Sequence, residues 1–417
     1  MPVTGAEDRL GRTLSADPFW KDLTRLGVAV SGGGDSMALL HLLAACAPAH
    51  GVTLAAATVD HGLRPEAAAE AAFVAETCAR LGIAHDTLRW QGWDGQGNLQ
   101  AEARAARYRL LGGWAVAQRL DAVALAHTAD DQAETFVMRL AREAGVDGLA
   151  AMDPLVERDG ARFWRPVLAQ GRDDLRSWLS AHGLGWCDDP SNEDERYDRV
   201  RARKALAVLA ELGIDRGRLG GVSRNLAAAS RALKRLAHDT ARRIARVEAG
   251  DVLLSRAGLR DADAEIRRRL LAAALGWISR APYPPRREAL ADLDRAIAAG
   301  QTHTLHGCLV ACIDGDVRFL REFNAVKDVV ATPGQLWDGR WRVAGPDGGR
   351  RVGALGEAVK DCPDWRETGL PRAALMASPA VWQGETLVAA PLAGFANGYS
   401  AVIDPEAGDF FTYVLSH

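Results

Sequence analysis

The chain has 417 residues and a mass of 44.7 kDa. That exceeds what one hydrophobic core usually serves, so two or three domains are expected and a single small module is excluded. With 48% hydrophobic and 25% charged residues the composition is that of a folded chain, not a disordered or collagenous one. The net charge of -3, from 51 basic and 54 acidic residues, excludes the global excess that drives indiscriminate nucleic-acid binding, so a polyanion would have to be held by a local patch. Six cysteines without a C-x-x-C pair describe neither a disulfide scaffold nor a zinc ribbon, and a reducing cytoplasm is the expected compartment. Glu7 and Asp8 interrupt the start where a signal peptide needs an apolar run, and no apolar stretch is long enough for a bilayer, so no membrane association is expected.

From Leu26 onward short β-like runs alternate with helical patterns. Gly27 to Val30 reads as a strand and is followed by a glycine cluster. A helical stripe comes next, with Leu39, Leu42, Leu43 and Cys46 at i, i+3, i+4 and i+7. Leu54 to Val59 reads as the second strand, ending at Asp60-His61-Gly62 and leading to an Ala-rich helix from about Pro65. A third strand is expected near Ala84 to Trp90, before a long helix with Leu99, Ala103, Ala106 and Leu110 on one face. Ala122 to Ala126 reads as the fourth, ending at His127 and opening into a helix at about Ala129. Apolar strands separated by helices predict an α/β fold, a parallel doubly wound sheet covered on both faces, with ligands beyond the carboxyl ends of the strands.

Residues 196–246 carry 14 Lys and Arg against 4 Asp and Glu, a net of +10, so the rest of the chain carries -13. This basic stretch reads as mainly helical, with Arg231, Lys234, Arg235, Arg242, Arg243 and Arg246 at helical spacings. Arg199, Arg201 and Arg203 alternate as in an extended or turning segment. A proline-rich turn from Pro282 to Arg287 opens a small unit with a short helix and a strand-like Leu305 to Ile313. Beyond Phe323 the Gly, Pro and Trp content predicts a mostly β end.

The strongest chemical signal is Ser31-Gly32-Gly33-Gly34-Asp35-Ser36, between a strand and a helix. Glycines let backbone N–H groups approach an anion, and the helix N-terminus adds positive potential, which makes a phosphate cradle. It lacks the lysine of a Walker A loop and the third glycine of a dinucleotide fingerprint. The loop resembles the SGGxDS mark of the PP-loop (N-type) ATP pyrophosphatase superfamily. Further segments then occur in order: Asp60-His61-Gly62-Leu63-Arg64, Ala103-Arg104-x-x-Arg107-Tyr108, His127-Thr128-Ala129-Asp130-Asp131-Gln132-Ala133-Glu134-Thr135, Asp189-Pro190-Ser191-Asn192, and later Thr304-Leu305-His306-Gly307-Cys308. Together they resemble the tRNA(Ile)-lysidine synthetase family, closely over about residues 27–205. Two departures stand out. His306 occupies a place where the family tends to have a second glycine, and the family's Arg-Asn-x-Ile-Arg element is here Arg199-Val200-Arg201-Ala202-Arg203.

The resemblance implies a Rossmann-like PP-loop catalytic domain at 1–212, a helical and small α/β tRNA-contacting domain at 213–325 and a mostly β tRNA-recognition domain at 326–417. It implies ATP-dependent ligation of free L-lysine to the wobble cytidine of isoleucine tRNA with anticodon CAU, through an adenylated cytidine, with release of AMP and pyrophosphate. ATP and Mg²⁺ are the implied cofactors, tRNA and lysine the partners, and homodimerisation is left open. Ser31, Gly32, Gly33, Gly34, Asp35 and Ser36 would hold the pyrophosphate, and Asp60 and His61 would also face ATP. A carboxylate among phosphates is best explained by a Mg²⁺ bridge, which makes Asp35 both the metal candidate and a catalytic one; a first-turn acid favoured by the helix dipole is the other reading. The second half-reaction needs a neutral amine, yet only about one lysine side chain in 2500 is neutral at pH 7, roughly 4.6 kcal/mol against reaction. Asp130, Asp131 and Glu134 are the candidates to bind the ammonium, with Asp131 and Glu134 as catalytic proton acceptors; helix capping is the alternative for each. His127, Arg104 and Arg107 are further candidates near the strand ends, and Arg199, Arg201 and Arg203 are expected to hold tRNA phosphates. Trp337, Trp341, Trp365 and Trp382 could stack on bases or fill a core.

Overall fold

The computed structural model describes residues 9–62, 67–91, 99–187, 198–281, 283–346, 348–405 and 408–416. Leu63, Arg64 and the Asp189-Pro190-Ser191-Asn192 segment lie outside the described residues. The chain divides into two compact units, Met1–Ala229 and Ser230–His417.

In the first unit α1 (Arg9–Ser15) precedes β1 (Arg25–Ala29), α2 (Gly34–Cys46), β2 (Thr53–Asp60), α3 (Ala67–Leu81), β3 (Ala84–Arg89), α4 (Leu99–Ala117), β4 (Ala122–Ala124) and α5 (Ala129–Leu140). There follow α6 (Val146–Leu149), β5 (Leu155–Arg158), β6 (Ala161–Trp164), α7 (Arg172–Ala181), α8 (Asp198–Glu211) and α9 (Arg216–Ile244), whose last turns belong to the second unit. The sheet order is β3-β2-β1-β4-β6-β5, parallel throughout except that β5 turns back antiparallel on β6. The parallel doubly wound architecture expected from the sequence is therefore present. The β5–β6 hairpin was not anticipated, because its runs are short and broken by Arg and Glu.

Both faces of the sheet are covered. Leu39, Leu40 and Leu43 of α2 pack with Leu14, Val74, Leu175 and Leu179 against Leu26 and Val28, while Tyr108, Leu111 and Trp114 of α4 pack with Val123 and Phe163 on the other side. Strands buried on both faces must be apolar at every position, which is why the runs are continuous rather than alternating. Since β1 pairs with β2 on one side and β4 on the other, the winding reverses between β1 and β4. In sheets of this kind the crevice where ligands bind lies beyond the carboxyl ends of the strands at such a reversal.

The second unit has a five-stranded antiparallel sheet, β7-β8-β11-β10-β9, built from β7 (Ala245–Glu248), β8 (Asp251–Ser255), β9 (His303–Leu305), β10 (Cys308–Ile313) and β11 (Asp316–Arg321). Helices α10 (Arg256–Asp261), α11 (Ala264–Ser279) and α12 (Arg287–Ala298) interrupt it, and α11 and α12 bury Leu270, Leu275, Leu293 and Ile297 against its Val310 and Phe319. Beyond it, α13 (Phe323–Val326) leads into two three-stranded sheets. These are formed by β12 (Leu336–Trp337), β13 (Trp341–Ala344), β14 (Arg351–Ala354), β15 (Pro379–Gln383), β16 (Thr386–Ala389) and β17 (Ser400–Ile403), with α14 (Arg372–Met376) and a closing α15 (Phe410–Ser416).

Three expectations are corrected. Arg199, Arg201 and Arg203 lie on α8, not in an extended segment; Ala202, Leu206 and Leu209 supply a helical repeat that the alternating arginines masked. Arg246 is on strand β7, past the end of the basic helix, and pairs with Asp316 at 2.6 Å. Leu305 to Ile313 is two strands, because His306 (φ 59°) and Gly307 (φ 69°) make a left-handed turn between them. That turn gives a physical reason for glycine at both positions, since only glycine enters this region without a Cβ penalty. Trp337 and Trp341 are core residues, whereas Trp365 and Trp382 are half-buried, each under an arginine, Arg366 and Arg351 respectively.

Candidate active site

The loop after β1 bends through Gly32 at φ +90°, which a side chain would strain, and Gly33 caps α2 without any side chain to occupy the helix N-terminus. The loop braces itself: Ser31 N–H donates to Ser36 Oγ at 3.1 Å, and Ser36 Oγ donates to the Gly33 carbonyl at 2.9 Å. Cys187 N–H donates to the Gly32 carbonyl at 2.9 Å, fastening the segment after α7 to the loop. The first helical hydrogen bond is Met37 N–H to Gly33 O, so the N–H groups before it form the open end of the helix, suited to an anion.

Asp35 stands on the first turn of this helix. One oxygen accepts from Arg172 Nε at 3.1 Å, and the other, Oδ1, is buried without a partner among the described residues. Burial pushes this carboxyl above its ordinary range against the pull of Arg172. Arg172 also reaches Asp131 at 3.6 Å and Glu134 at 3.4 Å, and its backbone N–H donates to Asp130 at 2.7 Å. Burial alone would lower the Arg172 guanidinium, but Asp35, Asp131 and Glu134 together hold it well above its usual value.

The three carboxylates of α5 differ in what they have free. Asp131 closes a capping box: its Oδ2 accepts from Thr128 N–H at 2.9 Å and from Thr128 Oγ1 at 3.0 Å, leaving Oδ1 toward Arg172. Asp130 is engaged at both oxygens, by Arg172 N–H and by Arg216 at 3.3 Å. Glu134, only 1% exposed, takes Arg203 Nε at 2.6 Å on Oε1, and its Oε2 is buried without a partner among the described residues. An unmet buried acceptor costs about 1–3 kcal/mol, so this oxygen is poised for an incoming donor.

Beside this acidic group lies a basic wall. Burial lowers Arg104 and Arg107 on α4, with Arg199 adding to this at both and Arg104 at Arg107, and no carboxylate pairs with either among the described residues. Arg165 donates from Nε to His127 Nδ1 at 3.2 Å, which fixes the tautomer with the proton on Nε2. Burial, together with Arg165, Arg104 and Arg199, brings the His127 pKa down to about 4 despite Asp131, so the ring is neutral at pH 7. His61 meets Trp90 edge-on at 5.7 Å and is lowered by burial and by Arg107. Asp60 forms a turn, its Oδ1 accepting from Gly62 N–H at 2.8 Å.

The structure thus brings together Ser31 to Ser36, Asp130, Asp131, Glu134 and Arg203 around one crevice. Arg201 goes elsewhere and pairs with exposed Asp198. Sequence reasoning missed Arg172 and Arg165. A signal for Arg172 existed: it opens α7, and a cation at a helix N-terminus is disfavoured by the dipole unless carboxylates compensate.

A glycine-rich phosphate loop at the switch point of a parallel sheet, with acid and arginine clusters closing over it, defines a PP-loop nucleotide-dependent enzyme, and residues 5–210 match the PP-loop domain family. The chain is 54% identical over 397 residues to the tRNA(Ile)-lysidine synthase of Ruegeria pomeroyi, covering 94% of each chain. It is 38% identical over 342 residues to that of Bradyrhizobium sp., covering 76% of this chain and 94% of the other. With that of Rhodopseudomonas palustris it shares 44% identity over 241 residues, covering 57% of this chain and 69% of the relative. The chain belongs to the tRNA(Ile)-lysidine synthase family. Among solved structures, the U34-tRNA thiolase NcsA from Methanococcus maripaludis is 17% identical with a TM-score of 0.46, over 52% of this chain and 77% of its own.

Proposed function

We propose that this enzyme ligates L-lysine to the wobble cytidine of isoleucine tRNA bearing a CAU anticodon at the crevice between β1 and β4, in two half-reactions of which the first consumes ATP. The observation that carries the reading is the joining of the phosphate loop to the α5 carboxylates: Asp35, Asp131 and Glu134 converge on one guanidinium. An adenylating site and an ammonium-accepting site are then within one side chain's reach of each other, as consecutive steps on one base require.

In the first step the N–H groups at the start of α2 hold the departing pyrophosphate while the cytidine carbonyl oxygen attacks the α-phosphorus. The P–O bond to pyrophosphate breaks and an adenylated cytidine forms. Ser31 and Ser36 fix the loop, and Asp60 and His61, at the end of β2, are assigned to the nucleotide side. Asp35 Oδ1, buried and without a partner among the described residues, suits Mg²⁺. The ion would neutralise phosphate charge there, held by one carboxylate and phosphate oxygens.

In the second step the lysine ammonium is received by Asp130, Asp131 and Glu134. Of these, only Glu134 keeps an oxygen without a partner among the described residues, so Glu134 is assigned as the base. The freed amine attacks the ring carbon, the C–O bond breaks, and AMP leaves with the oxygen. Arg104, Arg107 and Arg199, which pair with no carboxylate among the described residues, supply positive charge for the polyanionic substrates. The catalytic part is assigned to residues 1–212, with tRNA contact from 213–325 and tRNA recognition from 326–417. No helix among the described residues is long and apolar enough to cross a membrane, and a cytoplasmic location is proposed.

The test is to incubate purified protein with ATP, labelled lysine and either isoleucine tRNA(CAU) or elongator methionine tRNA. Label is expected in the isoleucine tRNA alone. Failure to label it, with pyrophosphate released on some other acceptor, would overturn the reading.

A further inference from the structure

Four carboxylates, Asp35, Asp130, Asp131 and Glu134, face three guanidiniums, those of Arg172, Arg203 and Arg216. The three arginines are not held alike. Arg203 is bound to Glu134 at 2.6 Å, and Arg216 is tied to Asp130, Asp173 and Asp174. Arg172 stands between two helices, nearest to Asp35 of α2 at 3.1 Å, with looser contacts of 3.4 Å and 3.6 Å to Glu134 and Asp131 of α5. Its side chain is 22% exposed, and it begins α7, where the dipole repels it. This cation therefore fills part of the space in front of the carboxylates that an ammonium needs.

A triphosphate seated on the open N-terminus of α2 would lie beside Asp35 and outweigh it as a partner for a guanidinium, since phosphate oxygens accept the same bidentate fork. We propose that Arg172 is a positioning residue that couples the two substrates. It occupies the cation slot until ATP arrives, then turns to the polyphosphate and leaves Asp131 and Glu134 short of positive charge, so that lysine binds second. The idea rests on the functional reading above. By linkage, lysine must then also tighten nucleotide binding by the same factor.

The experiment is equilibrium dialysis of radiolabelled lysine against the full-length protein, with and without α,β-methylene-ATP. In the wild type the lysine Kd is expected to fall by about fivefold or more when the analogue is present, the lower end of typical couplings. Arg172→Gln should bind lysine with the same Kd in both conditions, close to the wild-type value with nucleotide. Arg172→Lys keeps the charge but not the fork and should retain only part of the coupling. A wild type with no nucleotide-dependent change, or an Arg172→Gln protein that still responds fivefold, would overturn the proposal. Should Arg172→Gln fail to fold by circular dichroism, Arg172→Lys decides, and undiminished coupling in it overturns the idea. Lysine incorporation into isoleucine tRNA is measured on the same wild-type preparation. Incorporation without coupling refutes the role of Arg172 alone, whereas no incorporation refutes the functional reading beneath it.

Discussion

Arg199 and Arg203 sit one turn apart on α8 and look equivalent as tRNA contacts, yet their surroundings predict opposite effects when each is cut to alanine. Arg203 Nε lies 2.6 Å from Glu134 Oε1, on a carboxylate whose side chain is 1% exposed. Breaking a buried pair by removing one partner costs about 3–5 kcal/mol. Two facts reduce this: Arg203 itself is 32% exposed, and Arg172 remains 3.4 Å from the same oxygen. About 2 kcal/mol is the expected loss, which for a unit of this size lowers Tm by about 4–8 °C. Arg199 instead faces Arg104 and Arg107, each of which it pushes down. Arg199→Ala should leave Tm unchanged or slightly raised, because it relieves like-charge repulsion. It should also weaken tRNA binding and reduce the slope of log K against log salt by about 0.7–0.9, the share of one phosphate contact. Thermal unfolding by circular dichroism and filter binding across a salt series measure both quantities. An Arg203→Ala protein that melts with the wild type, or an Arg199→Ala protein that melts several degrees lower, would refute the division between a buried charge partner and a polyanion contact.

Asp35→Asn preserves the shape and an acceptor for Arg172 but removes the charge, and pyrophosphate release on tRNA is expected to fall at least a hundredfold with Tm little changed. Wild-type release would show that the carboxylate is only a first-turn acid. His127 titrates near 4 in the folded chain and near 6.5 when unfolded, so between these values the unfolded state binds the extra proton. Its contribution to stability is present above pH 6.5 and is lost as pH falls toward 4, a change on the order of 3 kcal/mol. His127→Gln should flatten the urea midpoint over that window, and a mutant with the same acid slope as the wild type would contradict it.

How much of this site was legible in advance depended on separation along the chain. The SGGGDS loop declares itself within six residues, because tight turn, open helix end and acid are local consequences of residue type. The α5 acids were also visible, but Asp131 divides its oxygens between capping Thr128 and facing Arg172, and no pattern tells a capping acid from a catalytic one. Arg199 and Arg203 were placed in the right neighbourhood but in the wrong conformation. Their alternation outweighed the weaker helical repeat of Ala202, Leu206 and Leu209, and with it went the geometry that sends one to Glu134 and the other toward α4.

The fold class, the phosphate loop and the strand ends where chemistry would gather follow from the amino-acid sequence by itself, since periodicity, glycine placement and helix starts act over a few residues. The charge pairing was decided only by tertiary structure. Arg172 meets Asp35 across 137 positions and Arg203 meets Glu134 across 69. Coulomb energy depends on distance in space and on burial, and neither exists until α2, α5, α7 and α8 have packed on the sheet.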